Sequence, residues 1–188
     1  MAVKVKRTEK EALFFVTFTC YRWLNLFELT DSYDAVYKWF AYLATQNIQT
    51  AGFIIMPNHI HCLIYLPAEA KDLDIVIGNG KRFMAYEIVK RLRLQKEDEL
   101  LDLLSKGVSK KETKKGKLHQ VFEPSFDAQL CISEKFTKTK LDYIHRNPVQ
   151  GKWNLADSFL DYEHSSARFY ELNEIHSFVE LTSYLELI

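Results

Sequence analysis

The sequence has few cysteines and no excess of charge of either sign. Its 188 residues include three cysteines, Cys20, Cys62 and Cys131, which are odd in number, widely spaced and set in apolar runs. This arrangement excludes a disulfide framework and a CxxC zinc ribbon, and it predicts buried, reduced thiols. Lys and Arg number 25, as do Asp and Glu, so the formal net charge is zero. Overall charge therefore favours no class of partner, and any surface that binds nucleic acid must be local.

Long apolar runs are also missing. No stretch of about 18 apolar residues occurs, and the first eleven residues carry no apolar segment, so the sequence predicts neither membrane insertion nor secretion. Hydrophobic residues nevertheless make up 47% of the chain and aromatic residues 14%, which is ample core material and excludes a disordered chain. We expect one compact cytoplasmic domain that spans residues 1–188.

Apolar periodicity predicts alternating strands and helices. β-Branched and aromatic runs indicate strands, and apolar residues at three-four spacing indicate helices with one buried face. The predicted order is a strand at 12–21, a helix at 32–46, strands at 50–56 and 60–66, a helical region at 72–104 whose main helix starts near Gly78-Asn79-Gly80, a bent strand region at 121–132, and a helix from Ser133 to Asn147 that Pro148 stops. This order predicts an α+β ferredoxin-like sandwich, with one antiparallel sheet and helices on one face.

Two segments lie outside this pattern. Residues 105–117 hold six lysines, one glutamate and two glycines, which predicts a mobile basic loop. From about residue 154 the chain is amphipathic and aromatic, which predicts a packed helical extension.

His59 and His61 stand two residues apart at the start of a predicted strand. Because side chains in a strand alternate with period two, both imidazoles project to the same side. Two imidazoles side by side are half of a metal site. A His-x-His pair in a strand is more often a hydrogen-bonded pair without metal, so a third ligand and a reactive group are needed.

The predicted helix before Pro148 carries Tyr143 and Asn147 four residues apart, so they share one helix face. A hydroxyl nucleophile and an amide oxygen would then point together. The alternatives are core or interface packing for Tyr143 and a plain helix C-terminal role for Asn147. Asp142 lies about 100° around the helix from Tyr143, which makes it a poor general base.

These two segments carry a resemblance. Residues 56–64 (MPNHIHCLI) resemble the histidine–hydrophobic–histidine (HUH) signature of the single-tyrosine transposases, and residues 141–149 (LDYIHRNPV) resemble a block of the REP-associated tyrosine transposases. Residues 122–127 (FEPSFD) and 161–167 (DYEHSSA) agree as well, in family order, so the resemblance spans about residues 12 to 170. His164 stands where the family has tryptophan, and residues 105–117 match no family motif.

The resemblance implies a function as well as a fold, the RRM-like core of HUH endonucleases. It implies that His59, His61 and Asn147 bind Mg²⁺ or Mn²⁺ and that Tyr143 is the catalytic nucleophile. The expected activity is that of a transposase. We expect such an enzyme to cleave single-stranded or hairpin-bearing DNA, to form a 5′-phosphotyrosine intermediate and to transfer the strand. The expected protein is nucleoid-associated, has no membrane partner and can pair as a homodimer.

Two other interpretations stay open. A domesticated REP-associated protein could bind hairpin DNA with little or no cleavage. Alternatively, the chain is an unrelated α+β protein, in which case Tyr143 should lie far from His59. Basic residues near the first strand and along the second helical region are the candidates for DNA contact: Arg22, Lys81, Arg82, Lys90, Arg91 and Arg93.

Overall fold

A computed structural model describes residues 8–188 of the chain. Four antiparallel strands form one sheet in the order β2-β3-β1-β4. The strands are β1 (Ala12–Thr19), β2 (Gln49–Met56), β3 (His59–Leu66) and β4 (Asp127–Leu130). The helices are α1 (Leu26–Leu29), α2 (Tyr33–Thr45), α3 (Leu73–Gln95), α4 (Asp98–Lys106), α5 (Lys110–Thr113), α6 (Glu134–Arg146) and α7 (Ala167–Leu172), with 3₁₀ turns at Tyr21–Trp23, Asn147–Val149 and Tyr184–Glu186.

The predicted fold class is confirmed. α2 connects β1 to β2, β2 and β3 form a hairpin, and the chain returns through α3 to β4 at the far edge of the sheet. This is the split βαβ arrangement of ferredoxin-like folds, in which β1 and β3 are the central strands. All three cysteines are buried free thiols, as expected. Within residues 8–188, no helix is long and apolar enough to cross a bilayer.

The two faces of the sheet carry different layers. Phe14, Val16 and Phe18 of β1 point to one face and form a core with buried residues of α2 and α3. Leu13 and Phe15 point to the other face. Helix α6 covers that second face, where its Leu141 and Ile144 join the same cluster. The expectation of helices on one face therefore holds for α2 and α3 but is wrong for α6, because the apolar second face also needs a cover.

The glycine-rich interruption does not start a helix. Helix α3 begins at Leu73, after Asp72, and runs through Gly78 and Gly80 without a break. A Cβ atom added at Gly80 would lie 2.5 Å from the indole ring of Trp39 in α2. Glycine at this position therefore permits the close approach of α2 and α3.

Residues 105–117, predicted as a mobile loop, contain the end of α4 and the single turn α5. The Ser109 side chain caps α5 by accepting a hydrogen bond from the backbone N–H of Glu112. The Lys117 ammonium lies 2.8 Å from the Glu112 carboxylate. Local capping and an ion pair thus give part of this segment a defined conformation.

The C-terminal extension covers the outer edge of β2. It is mostly irregular chain, with α7 as a short helix, rather than the predicted helical extension. Its backbone donates from Ser166 to the Phe53 carbonyl at 3.0 Å, and Ile55 donates to the His164 carbonyl at 2.9 Å. The Tyr162 hydroxyl donates to the Ile55 carbonyl at 2.7 Å. These bonds occupy part of an edge that could otherwise pair with another strand.

Candidate metal and nucleophile site

The two histidines lie side by side on the second face of the sheet, at the start of β3. Their ring centroids are 4.7 Å apart, and each residue is only 5% exposed. The period-two spacing places them on one face, as the sequence predicts. The ring of Phe15 in β1 stacks on His61 at 5.6 Å between centroids, so the apolar part of this face supports the pair from one side.

Asn58 fixes the protonation of His59. The Asn58 amide nitrogen donates to the Trp23 carbonyl at 3.1 Å, so its oxygen, which can only accept, faces His59 Nδ1 at 2.7 Å. His59 Nδ1 therefore carries the proton, and Nε2 keeps a free lone pair. This is the tautomer that a metal-binding imidazole needs, with its second nitrogen held by a hydrogen bond.

Thr17 contacts the corresponding ring nitrogen of His61. The two residues face each other directly across β1 and β3, and Thr17 Oγ1 lies 2.6 Å from His61 Nδ1. In the described residues, His61 Nε2 is a buried polar atom without a hydrogen-bond partner. Buried polar atoms are nearly always satisfied, so an unpartnered ring nitrogen here is the structural observation that fits a metal ligand.

Both imidazoles are neutral near pH 7. Burial lowers the pKa of His59 to about 4, and the nearby Lys152 ammonium adds to the effect. Burial lowers the pKa of His61 to about 3, with further contributions from His59 and Lys140. Neutral imidazoles offer their lone pairs to a cation without competition from protons.

Tyr143 contacts the histidine pair through His61. Leu141 and Ile144 are buried under α6, which directs Tyr143 to the rim of the second face. Its ring lies edge-on to His61, with 5.4 Å between centroids, and it remains 51% exposed. Residues more than 80 positions apart in the sequence are therefore in contact within one chain. The interpretation that placed Tyr143 far from the histidines is wrong.

Asn147 follows at the C-terminal end of α6, one helical turn after Tyr143, and is half-buried. No group of three His, Cys, Asp or Glu residues suited to a metal occurs within residues 8–188. A third protein ligand beside the two histidines would therefore be another residue type. An amide oxygen is a suitable ligand for Mg²⁺ or Mn²⁺, so the chemistry of Asn147 fits the predicted cation.

His145 anchors the helix that carries Tyr143. It is 2% exposed, and its Nε2 lies 2.8 Å from Ser166 Oγ, which in turn accepts from the Phe53 N–H of β2 at 2.9 Å. Burial lowers the pKa of His145 to about 4, which the charge of Asp142 partly opposes. The C-terminal extension thus connects α6 to the sheet next to the reactive tyrosine.

Most of the predicted DNA-contact residues lie elsewhere. The five on α3 project from a helix that packs on the first face, across the sheet from the histidines. Lys81 Nζ donates to the carbonyls of Glu123 and Ser125 at 2.6 and 3.1 Å, and Arg91 pairs with Asp34 at 2.6 Å. Arg82, Lys90 and Arg93 are exposed on that face. Arg22, the sixth, precedes Trp23 in the 3₁₀ turn after β1, and its backbone N–H donates to the Glu123 carboxylate at 2.8 Å.

Several neighbours of the site were not among the residues predicted from the sequence. Thr17 is a polar residue inside an apolar strand, and Asn58 sits in the turn before His59, so both carried a sequence signal. Trp153 and Lys152 carried none, because only the turn after α6 brings them back to His59. Lys140 lies over the Phe15 ring, 4.9 Å from its centroid, and acts on His61 from there.

Comparisons with known proteins agree with the fold. No protein-family model matches the chain, and no curated protein matches it. Among solved structures, the chain is similar to a REP-associated tyrosine transposase bound to a REP hairpin. The TM-score is 0.61 with 16% sequence identity, over 97% of this chain and 94% of that chain. At this identity the likeness shows that the two chains share a fold.

Proposed function

We propose that this chain is a metal-dependent single-strand DNA endonuclease and strand transferase of the transposase type, with Tyr143 as the nucleophile. The observation that carries the proposal is the contact between Tyr143 and His61, whose buried Nε2 has no partner within the described residues. The motif resemblance in family order and the fold shared with a hairpin-bound transposase support it.

The reaction follows from a phenol placed beside a phosphodiester. The Tyr143 oxygen forms a bond to phosphorus and loses its proton to solvent, while the bond from phosphorus to the 3′ oxygen breaks and that oxygen takes up a proton. The products are a 5′-phosphotyrosine and a free 3′-hydroxyl. Attack by a 3′-hydroxyl on the phosphotyrosine reverses the step and joins strands, so no ATP is required.

His59, His61 and Asn147 would hold the cation. A bound Mg²⁺ or Mn²⁺ supplies Lewis-acid stabilisation of charge on the phosphate oxygens. Asn58 and Thr17 orient the two imidazoles through their Nδ1 atoms, and the half-exposed Tyr143 ring leaves room for a DNA strand to approach. His145 and Ser166 hold α6 in place while the strand binds.

A covalent-adduct assay tests this proposal. Wild-type protein, Mn²⁺ and hairpin-bearing single-stranded DNA from the sequence flanking the gene should yield a protein–DNA band that is stable in denaturant. Tyr143→Phe should abolish the band, because the nucleophilic oxygen is gone, and should retain the fold. Tyr42→Phe is the matched control, since Tyr42 is a comparably exposed tyrosine on α2.

Absence of the band for wild-type protein, with hairpin binding intact, would contradict the nuclease and favour a DNA-binding protein that does not cut. A band that persists in Tyr143→Phe would assign the chemistry to another residue. Circular dichroism spectra and unfolding midpoints of both variants show whether each has kept its fold.

A further inference from the structure

Two of the three tryptophans lie against His59. The indole of Trp23 meets the His59 ring edge-on at 5.8 Å between centroids, and the indole of Trp153 is tilted toward it at 6.4 Å. Trp39 of α2, by contrast, is buried in the core. Two indoles that share contact with one candidate metal ligand bring flat aromatic surface to the edge of the reactive site.

Trp23 is displayed to solvent by an unusual backbone. It lies just after β1 with φ of 59°, next to Arg22 at 53°, and it is 59% exposed. A bulky residue in the left-handed region is uncommon and persists only when the surroundings fix it. The Trp23 carbonyl accepts from the same Asn58 side chain that orients His59. Burial of the indole does not account for this arrangement, since most of the ring is in solvent.

Trp153 belongs to the turn after α6. The chain turns after α6 through Gly151, whose φ of 64° suits glycine, and Trp153 N–H donates to the Gln150 carbonyl at 3.1 Å. The indole is half-buried against the second-face cluster. Lys152 Nζ lies over it, 5.0 Å from the ring centroid, so a positive charge accompanies the aromatic surface.

We propose that Trp23 and Trp153 form a stacking site for an unpaired nucleobase of the DNA strand next to the scissile phosphate, with Lys152 facing the backbone. Aromatic rings bind any base through its π-face, and an adjacent cation offsets phosphate charge, as in single-strand binding sites generally. This inference rests on the proposed function, since it adds to that reaction a site that holds the strand in place. The ligand class is single-stranded DNA, and duplex DNA is excluded because its bases are already stacked.

Equilibrium binding tests the stacking site without catalysis. The full chain carrying Tyr143→Phe is titrated in EDTA with a hairpin that bears a single-stranded extension and with the same hairpin without it. Tryptophan fluorescence should be quenched by the extended hairpin. Trp23→Leu and Trp153→Leu, which keep apolar bulk but remove the π-face, should each weaken binding of the extended hairpin by about 5- to 150-fold.

The same variants should bind the blunt hairpin as the parent does, and Tyr42→Leu is the matched control on α2. Trp23→Phe, which retains an aromatic ring, should restore much of the affinity. Unchanged affinity of both leucine variants for the extended hairpin, or equal losses with both DNAs, would overturn the stacking site.

The adduct assay separates this inference from the proposed function. If Trp23→Leu and Trp153→Leu in the otherwise wild-type chain form adduct with unchanged KM and kcat, the stacking site is overturned while the nuclease stands. If the wild-type chain forms no adduct but the leucine variants lose binding to the extension, the stacking site stands and the nuclease is overturned.

Discussion

The two faces of this sheet use the same strands for opposite purposes. On the first face, Phe14, Val16 and Phe18 are sealed under α2 and α3 in a continuous apolar layer. On the second face, the alternating residues of β1 begin as apolar side chains under α6 and end at the polar Thr17 and Thr19, opposite the two histidines. One face is therefore entirely core, whereas the other changes within a single strand from core to reactive site.

The difference explains how the fold holds the unpartnered Nε2 atom of His61 in a buried place, as far as residues 8–188 show. The apolar half of the second face positions α6, and the position of α6 brings Tyr143 to His61. The polar half supplies hydrogen-bond partners for the two Nδ1 atoms, and His61 Nε2 has none among residues 8–188. The first face thus contributes mainly to stability, and the polar half of the second face carries the candidate reactive site. Substitutions on the two faces should therefore have different effects.

The largest expected effect on stability is on the first face. Phe18 is fully buried and meets Trp39 and Phe122 edge-on, so Phe18→Ala should lower the free energy of unfolding by about 3–5 kcal/mol, through lost burial and a cavity. Urea denaturation measures the change. Folded protein should still bind Mn²⁺ with wild-type affinity. A change of less than about 1 kcal/mol in unfolding free energy would contradict the division between the faces.

A smaller effect is expected at Thr17. Thr17→Val keeps the strand shape but removes the oxygen that holds His61 Nδ1, so the affinity for Mn²⁺ should fall about 10- to 100-fold. Isothermal titration in the absence of DNA measures it. Thr19→Val is the matched control, because Thr19 faces His59 across the same strands and His59 is instead held by Asn58. Equal losses in both variants would show that Thr17 has no specific role.

The smallest expected effect, counted per pH unit, is the dependence of stability on pH. Folded His145 takes up a proton only near its lowered pKa of about 4, whereas the unfolded chain does so near 6.5. Between these values the unfolded state binds more protons, so stability falls as the pH decreases, by up to about 1.4 kcal/mol per pH unit for this residue. His145→Gln should be less stable at pH 7 but should lose less stability between pH 6.5 and 4.5, as unfolding at several pH values would show. An unaltered slope would mean that His145 does not titrate in this range.

Much of the fold could be predicted from the sequence, because it depends on local patterns. The strand-rich runs, the three-four spacing of α2 and the period-two placement of His59 and His61 follow from side-chain geometry alone. Which face of the sheet α6 covers could not be predicted, because the apolar residues of α6 do not specify the side of the sheet against which the helix packs. Gly80 was misjudged for the same reason, since its fit against Trp39 depends on a neighbouring helix.

The candidate site, too, could be predicted only in part. The contact between His61 and Tyr143 could be predicted only through the motif resemblance, because it joins segments that are distant in the sequence. The roles of Thr17 and Trp153 depend on strand register and on the turn after α6, which no local pattern specifies. The basic residues of α3 were grouped by helix periodicity, which did not place them across the sheet from the histidines.

The central claim is that two imidazoles and a phenol meet around one divalent cation. Anomalous diffraction from crystals of the Tyr143→Phe protein grown with Mn²⁺ and a single-stranded DNA substrate tests it most directly. The account predicts one strong anomalous peak about 2 Å from the Nε2 atoms of His59 and His61, with the Asn147 side chain in the same coordination shell. A peak at any other group of residues, or none at saturating Mn²⁺, would contradict it.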